Sequence, residues 1–264
     1  MNRLLERESL YTPVNPIKNR LVEVATETFA PKRLYDQHNL VAARGIMQDP
    51  QKKLIIIADH LGNDDAPALA TAIKQAGYSD IAVRMVFLLG LRLVENPWTR
   101  IAIDSYAHIP VWPPTREAKT AEEQSEKQKF ARATLKATRQ VQSRGRILTI
   151  FPEGTRSRTQ TLQKGQPEVA HYLERPNTYM LPVGLWGTEK VLPIGKWLPH
   201  RELVHVRFGK PVSLEALVKA SGRNIKKMSN EEIMVLAMGK IEELLPEKYR
   251  AKCAPTESVY ESQN

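Results

Sequence analysis

Along the chain, apolar residues come in short β-branched runs separated by stretches with helical spacing. Leu54-Ile55-Ile56-Ile57-Ala58 is a continuous apolar run of the kind that forms a strand buried on both faces. Asp65 to Ala76 follows with apolar residues on one helical face, so strand leads directly into helix. The alternation returns with candidate strands at Ile81–Arg84, Ile109–Trp112, Ile147–Phe151, Tyr179–Leu185 and Val204–Phe208. Thr115 to Gln142 is polar and rich in Glu, Lys, Ala and Gln, which predicts a long solvated helix with paired charges. Two more helices are predicted at Leu214–Lys219 and Asn230–Leu245. Ahead of the first strand, Pro13, Pro16 and Pro31 bracket a helix near Ile17–Thr28. The pattern therefore predicts an α/β fold, a mainly parallel central sheet flanked by helices, with an N-terminal helical cap. It divides the chain into an N-terminal helical segment (1–50), a main domain (51–250) and a disordered tail (251–264).

Met85-Val86-Phe87-Leu88-Leu89-Gly90-Leu91, between Arg84 and Arg92, is too short to span a bilayer, which needs about 20 apolar residues. Two readings stand for it: a segment lying in a lipid interface, with Trp98, Trp112 or Trp197 as anchors, or a buried helix lining a tunnel. A net charge of +10 favours contact with anionic partners, membrane headgroups among them, without choosing between them. No helix-turn-helix, zinc-finger or aromatic RNA-binding signature accompanies that charge, so no nucleic-acid partner is expected. The single cysteine, Cys253, provides no disulfide framework and points to a reducing, cytoplasmic setting.

Chemistry enters where the first buried strand ends, at Asp59-His60-Leu61-Gly62-Asn63-Asp64-Asp65. Ligands favour the carboxyl ends of strands in open α/β sheets. A His five residues before an Asp, across a turn containing Gly, lets the carboxylate engage one ring nitrogen and leaves the other as a base. Such a base can remove a proton from an alcohol attacking a carbonyl. Two blander readings compete: Asp64 or Asp65 capping the next helix while His60 bonds backbone, or Asp59, His60, Asp64 and Asp65 forming a metal cluster as in metal-dependent phosphohydrolases. No second histidine cluster at ligand spacing supports a metal, and none is expected.

After the strand ending at Ile150 comes Phe151-Pro152-Glu153-Gly154-Thr155-Arg156-Ser157-Arg158, a rigid basic turn. Gly154 permits close approach or positive φ, and Pro152 stiffens the turn. Arg156 and Arg158 suit phosphate oxygens, with Thr155 and Ser157 as neutral donors, while Glu153 is placed to orient an Arg or meet a substrate hydroxyl.

Together, His-x4-Asp and Phe-Pro-Glu-Gly-Thr-Arg some ninety residues later closely resemble the signature of the glycerophospholipid acyltransferase family, over roughly Lys53 to Pro211. The resemblance implies a fatty acyl group moving from an acyl thioester, on coenzyme A or acyl carrier protein, to a hydroxyl of a glycerol-phosphate acceptor such as lysophosphatidate. His60 would be the base and Asp65 its orienting partner, with Glu153, Gly154, Thr155 and Arg156 binding the acceptor. No cofactor is implied, and the location would be peripheral, on the cytoplasmic face of a membrane. The sequence has no Gly-x-Ser-x-Gly elbow, in keeping with direct transfer. Met180-Leu181-Pro182-Val183-Gly184 is similar to a further family element expected to line a pocket. The match departs where the family often has Asn before the His and a polar residue two places after it; here Asp59 and Gly62 stand there. An added carboxylate beside His60 is expected to raise the imidazole pKa. An Arg expected near Pro113 is also missing, with Arg116 as the shifted candidate.

Overall fold

The computed structural model describes residues 9–95, 100–193, 196 and 198–251. Its centre is a sheet of eight strands ordered β1-β7-β6-β2-β5-β3-β4, with β8 attached to β6. In chain order the strands are β1 (Lys32–Tyr35), β2 (Lys53–Ala58), β3 (Met85–Gly90), β4 (His108–Val111), β5 (Ile147–Ile150), β6 (Thr178–Trp186), β7 (Val204–Phe208) and β8 (Val212–Ser213). The longer helices are α1 (Pro16–Phe29), α2 (Asn39–Gln48), α3 (Asp65–Gln75), α4 (Ala121–Ser143), α5 (Leu214–Ala220) and α6 (Asn230–Glu242). Strands β6, β2, β5, β3 and β4 run parallel; β7 turns back against β6, and β1 follows β7.

The parallel strands are buried on both faces, which is why apolar residues dominate their sequences, with Thr149 the buried polar exception in β5. Ile55, Ile57, Val86, Leu148 and Ile150 point into one core, covered by Phe130 and Val141 of α4 and Ile233 and Ile241 of α6. Leu54, Ile56, Met85, Phe87 and Ile147 point into the other, covered by Leu69 and Ile73 of α3. The polar stretch forms α4 as expected. It opens with a reciprocal capping box between Thr120 and Glu123, and α6 opens in the same way with Ser229 and Glu232.

Two sequence expectations are overturned. Ile81–Arg84 is not a strand: Ser79–Ala82 forms one helical turn, and the strand begins at Met85. The run Met85–Leu91 is accordingly neither a helix nor an interfacial segment. Its first six residues are β3, paired with β5 through Met85–Ile147 and Val86–Leu148 and with β4 through Phe87–His108. Its unbroken apolar character has the same cause as that of β2, a position inside the sheet. Of the proposed anchors, Trp112 packs edge-on against Phe130, while Trp98 and Trp197 fall outside the described residues, as does the tail from Lys252.

Helix α1 starts at Asn15, whose side chain accepts from the Lys18 amide, with Pro16 in the first turn. Its polar side faces the protein: Lys18 pairs with Asp104 at 2.7 Å, Asn19 donates to the Ser105 carbonyl, and buried Glu23 pairs with Lys74 of α3. Val22 and Phe29 pack on the core, while a second set of apolar residues faces outward, with Ile17 74% and Leu21 66% exposed and Val24 in the same stripe. No helix among the described residues is long and apolar enough to cross a membrane.

Candidate active site

At the end of β2 the chain turns through His60 and enters α3 at Asp65. The Asp65 carboxylate, fully buried, draws the turn around itself. Its Oδ2 lies 2.7 Å from His60 Nδ1 and also accepts the amides of Leu61 at 2.7 Å and Gly62 at 2.9 Å. The acid therefore does not cap α3: it fixes the imidazole and leaves Nε2 as the nitrogen open to chemistry. The ring is 22% exposed and is stacked on Phe151 at 4.7 Å between centroids. Phe151 in turn stacks on Phe87.

Gly62 is held close to the turn that follows β6. A Cβ at this position would lie 2.7 Å from the Thr188 carbonyl carbon and oxygen, which explains the absence of a polar side chain here. Strands β2 and β5 are neighbours, so the basic turn after β5 arrives beside His60. Glu153 Oε1 accepts the His60 amide at 2.7 Å, and the His60 carbonyl accepts the Ser157 amide at 2.8 Å. Both backbone groups of His60 are thus bound by the turn from residues 151–158. The two motifs, ninety residues apart in sequence, form one structure.

Glu153 is placed differently from its sequence expectation. It contacts neither Arg156 nor open solvent; its second oxygen accepts the Gln163 amide at 3.0 Å, and the side chain is buried. Burial, only partly opposed by those two amides, pushes its pKa up to about 8. Gly154 follows with φ +70, and a Cβ there would come within 2.9 Å of Pro114. Thr155 and Arg158 are exposed and Arg156 half-buried. Arg156 and Arg158 line a cavity of about 120 Å³ together with Leu61, Gly62 and Glu189. The inner end of the turn is knotted by Ser157, which donates to the Thr161 carbonyl and accepts the Thr161 amide.

Asp59 does not lie beside the imidazole. Its carboxyl turns the other way and accepts the Leu185 amide of β6 at 2.6 Å, while its second oxygen is buried without a partner. Complete burial, with Asp65 and Glu153 nearby, holds its pKa well above the usual carboxylate range. The expected effect of Asp59 on His60 is therefore not supported by contact between them. Asp64 heads α3 but makes no side-chain cap, and burial and then Asp65 push its pKa up to about 6. The four residues that suggested a metal cluster do not converge: His60 and Asp65 pair with each other, while Asp59 turns to the Leu185 amide. Among the described residues no three His, Cys, Asp or Glu side chains gather to hold an ion.

Arg116, the candidate for the missing arginine, lays its guanidinium 4.5 Å over the Trp112 ring, whose Nε1 donates to the Arg116 carbonyl. Pro182 lies within β6, paired with Ile57, in the strand beside β2. Sequence reasoning missed Glu189 on the cavity wall and the platform role of Phe151; neither carries a local pattern that separates it from an ordinary residue.

A family model described as "Acyltransferase" matches residues 32–186. The match covers more than half the chain, including both motifs, and the protein belongs to the acyltransferase family. Among solved structures, the chain is similar to the 1-acyl-sn-glycerophosphate (LPA) acyltransferase PlsC from Thermotoga maritima. The TM-score is 0.50 at 19% identity, over 86% of this chain and 77% of that one, a likeness of fold. No curated protein matches the sequence significantly.

Proposed function

We propose that this acyltransferase moves a fatty acyl group from an acyl thioester, carried on coenzyme A or acyl carrier protein, to a hydroxyl of a glycerol-phosphate acceptor such as lysophosphatidate, in phospholipid biosynthesis. The observation that carries this reading is the 2.7 Å contact between His60 Nδ1 and Asp65 Oδ2, in a loop tied to an arginine-bearing turn.

In the proposed mechanism, Asp65 accepts Nδ1–H and keeps Nε2 unprotonated and facing the cleft. Nε2 takes the proton of the acceptor hydroxyl as its oxygen attacks the thioester carbonyl. The tetrahedral intermediate collapses, the carbon–sulfur bond breaks, and the imidazolium returns its proton to the departing thiolate. Asp65 stabilises the transient positive charge. Arg156 and Thr155 hold the acceptor phosphate, and Gly154 lets the backbone approach it. Glu153 acts as a positioning residue through the His60 amide.

Contact with an anionic membrane, at its cytoplasmic face, is assigned to the outward stripe of α1 rather than to Met85–Leu91. A helix with exposed Ile17, Leu21 and Val24, neighbouring Arg20 and a net charge of +10 suit a lipid interface where such an acceptor resides. The alternative, a metal-dependent phosphohydrolase, loses its support because Asp59 and Asp65 are committed to backbone amides. The test is to incubate the protein with mixed acyl thioesters and candidate acceptors and identify products by mass spectrometry. Acylated glycerol-phosphate product supports the reading; phosphate release without acyl transfer overturns it.

A further inference from the structure

The same end of the sheet carries a second cationic site, separate from Arg156 and Arg158. In the β6–β7 register Trp186 faces His205, and in the β1–β7 register Arg33 faces His205, so the three residues form one row across three strands. Ala58 pairs with Val183, so this row is level with the loop that follows His60. At about 4.8 Å per strand, His205 and Arg33 lie two and three strands from β2, or roughly 10 and 14 Å to the side.

The floor of the site is rigid. The Trp186 and His205 rings stack at 5.0 Å and 4°, and Tyr35 stacks on Trp186 with its hydroxyl 3.0 Å from His205 Nδ1. Arg207 closes the stack over Tyr35 and is balanced by Asp36 at 3.6 Å. Around this floor stand Arg33, Lys190 and Lys248, all exposed and all close enough to act on His205, whose pKa they lower after the larger effect of burial. Among the described residues Arg33 and Lys190 have no ion-pair partner, and Lys248 rests 4.7 Å over the Tyr249 ring. Among the described residues the nearby acid forms no ion pair with any of the three. Glu189 is occupied by the Gly187 amide and the Tyr249 hydroxyl. Three like charges around one aromatic floor, with Lys190 and Lys248 brought to the same place by the Tyr249–Glu189 hydrogen bond, favour a phosphate anion. The site also adjoins the cleft, since Lys190 directly follows Glu189 on the wall of the cavity that Arg156 lines.

We infer that Arg33, Lys190 and Lys248 hold the phosphate at the end of the acyl donor's pantetheine arm, the group that coenzyme A and acyl carrier thioesters share. The inference rests on the function proposed above. It gives the two substrates' phosphates separate sites, the acceptor's at Arg156 and the donor's at this row, with the thioester carbonyl between them over His60. An arm entering from the side brings its sulfur to the cleft without crossing the acceptor's path.

The experiment compares wild type with Lys190→Glu/Lys248→Glu and with Arg33→Glu, using lysophosphatidate as acceptor. Three donors are used: palmitoyl-coenzyme A, palmitoyl acyl carrier protein and phosphate-free palmitoyl-pantetheine. Both variants are expected to raise the KM for the two phosphate-bearing donors about tenfold or more, with kcat and the acceptor KM nearly unchanged. The KM for palmitoyl-pantetheine should not move. Variants that are folded by circular dichroism and keep the wild-type donor KM would overturn the inference. So would a rise equal for all three donors, or a rise confined to one carrier. A wild-type protein inactive with every donor would instead remove the reading on which the inference rests.

Discussion

Glu153 Oε1 accepts the backbone amide of His60 at 2.7 Å, joining the basic turn to the His60 loop through a carboxyl that does not meet solvent. The Glu of the Glu-Gly-Thr-Arg string thus holds the His60 amide, while Thr155 is exposed and Arg156 half-buried. Glu153→Ala leaves two amides without an acceptor and should cost about 1–3 kcal/mol of stability. It should also lower kcat more than it raises the acceptor KM, because it displaces the base rather than the phosphate site. Urea denaturation and steady-state kinetics check both; a change in acceptor KM alone would show that Glu153 binds substrate directly.

Asp59 makes a prediction about pH. Its folded pKa is raised, so the unfolded chain releases this proton at a lower pH than the native protein does. The native state then binds more protons than the unfolded state, and stability falls as pH rises above the ordinary carboxyl range, by up to about 1.4 kcal/mol per pH unit. Glu153 adds a fall of the same sign between its usual 4.5 and about 8. Asp59→Asn keeps an oxygen for the Leu185 amide and removes the charge. Denaturation at pH 5 and pH 8 should show a shallower loss in the variant, with acyl transfer retained; parallel losses would mean that Asp59 is already ionised in the native state.

Gly62→Ala forces a methyl against the Thr188 carbonyl, where backbone has little room to move. We expect a loss of about 1–3 kcal/mol and a lowered kcat, measured by thermal melting and initial rates. Wild-type behaviour in both would mean that the loop and the turn after β6 are not in contact.

Much of the sheet was legible because buried parallel strands are dominated by apolar residues, as in β2, β5 and β6, while β7 shows the alternation of a half-buried strand. The same rule misled at Met85–Leu91, where an apolar run bounded by arginines suits an interfacial helix as well as a central strand. Edge strand β1 went unread because Lys32-Arg33-Leu34-Tyr35 is half exposed and has no unbroken apolar stretch. At the site, the His60–Asp65 pair is local and follows from spacing. The roles of Asp59 and Glu153 depend on which neighbouring strand offers an amide, and sequence spacing does not encode that.

The apolar stripe of α1 predicts membrane contact. Ile17→Glu/Leu21→Glu changes two exposed side chains, so stability should hold within about 0.5 kcal/mol. Flotation with anionic vesicles should drop sharply for the variant, with activity on a detergent-dispersed acceptor unchanged. Equal flotation of variant and wild type would move the lipid contact elsewhere on the surface.

The most direct test of the central claim is single-turnover acyl transfer by His60→Ala beside wild type, at a fixed pH with saturating lysophosphatidate and labelled acyl thioester. The account predicts a loss of about 10²- to 10⁴-fold in the transfer rate with the fold intact and no label bound covalently to either protein. Transfer by the variant at the wild-type rate, or a labelled acyl-protein intermediate, would contradict it.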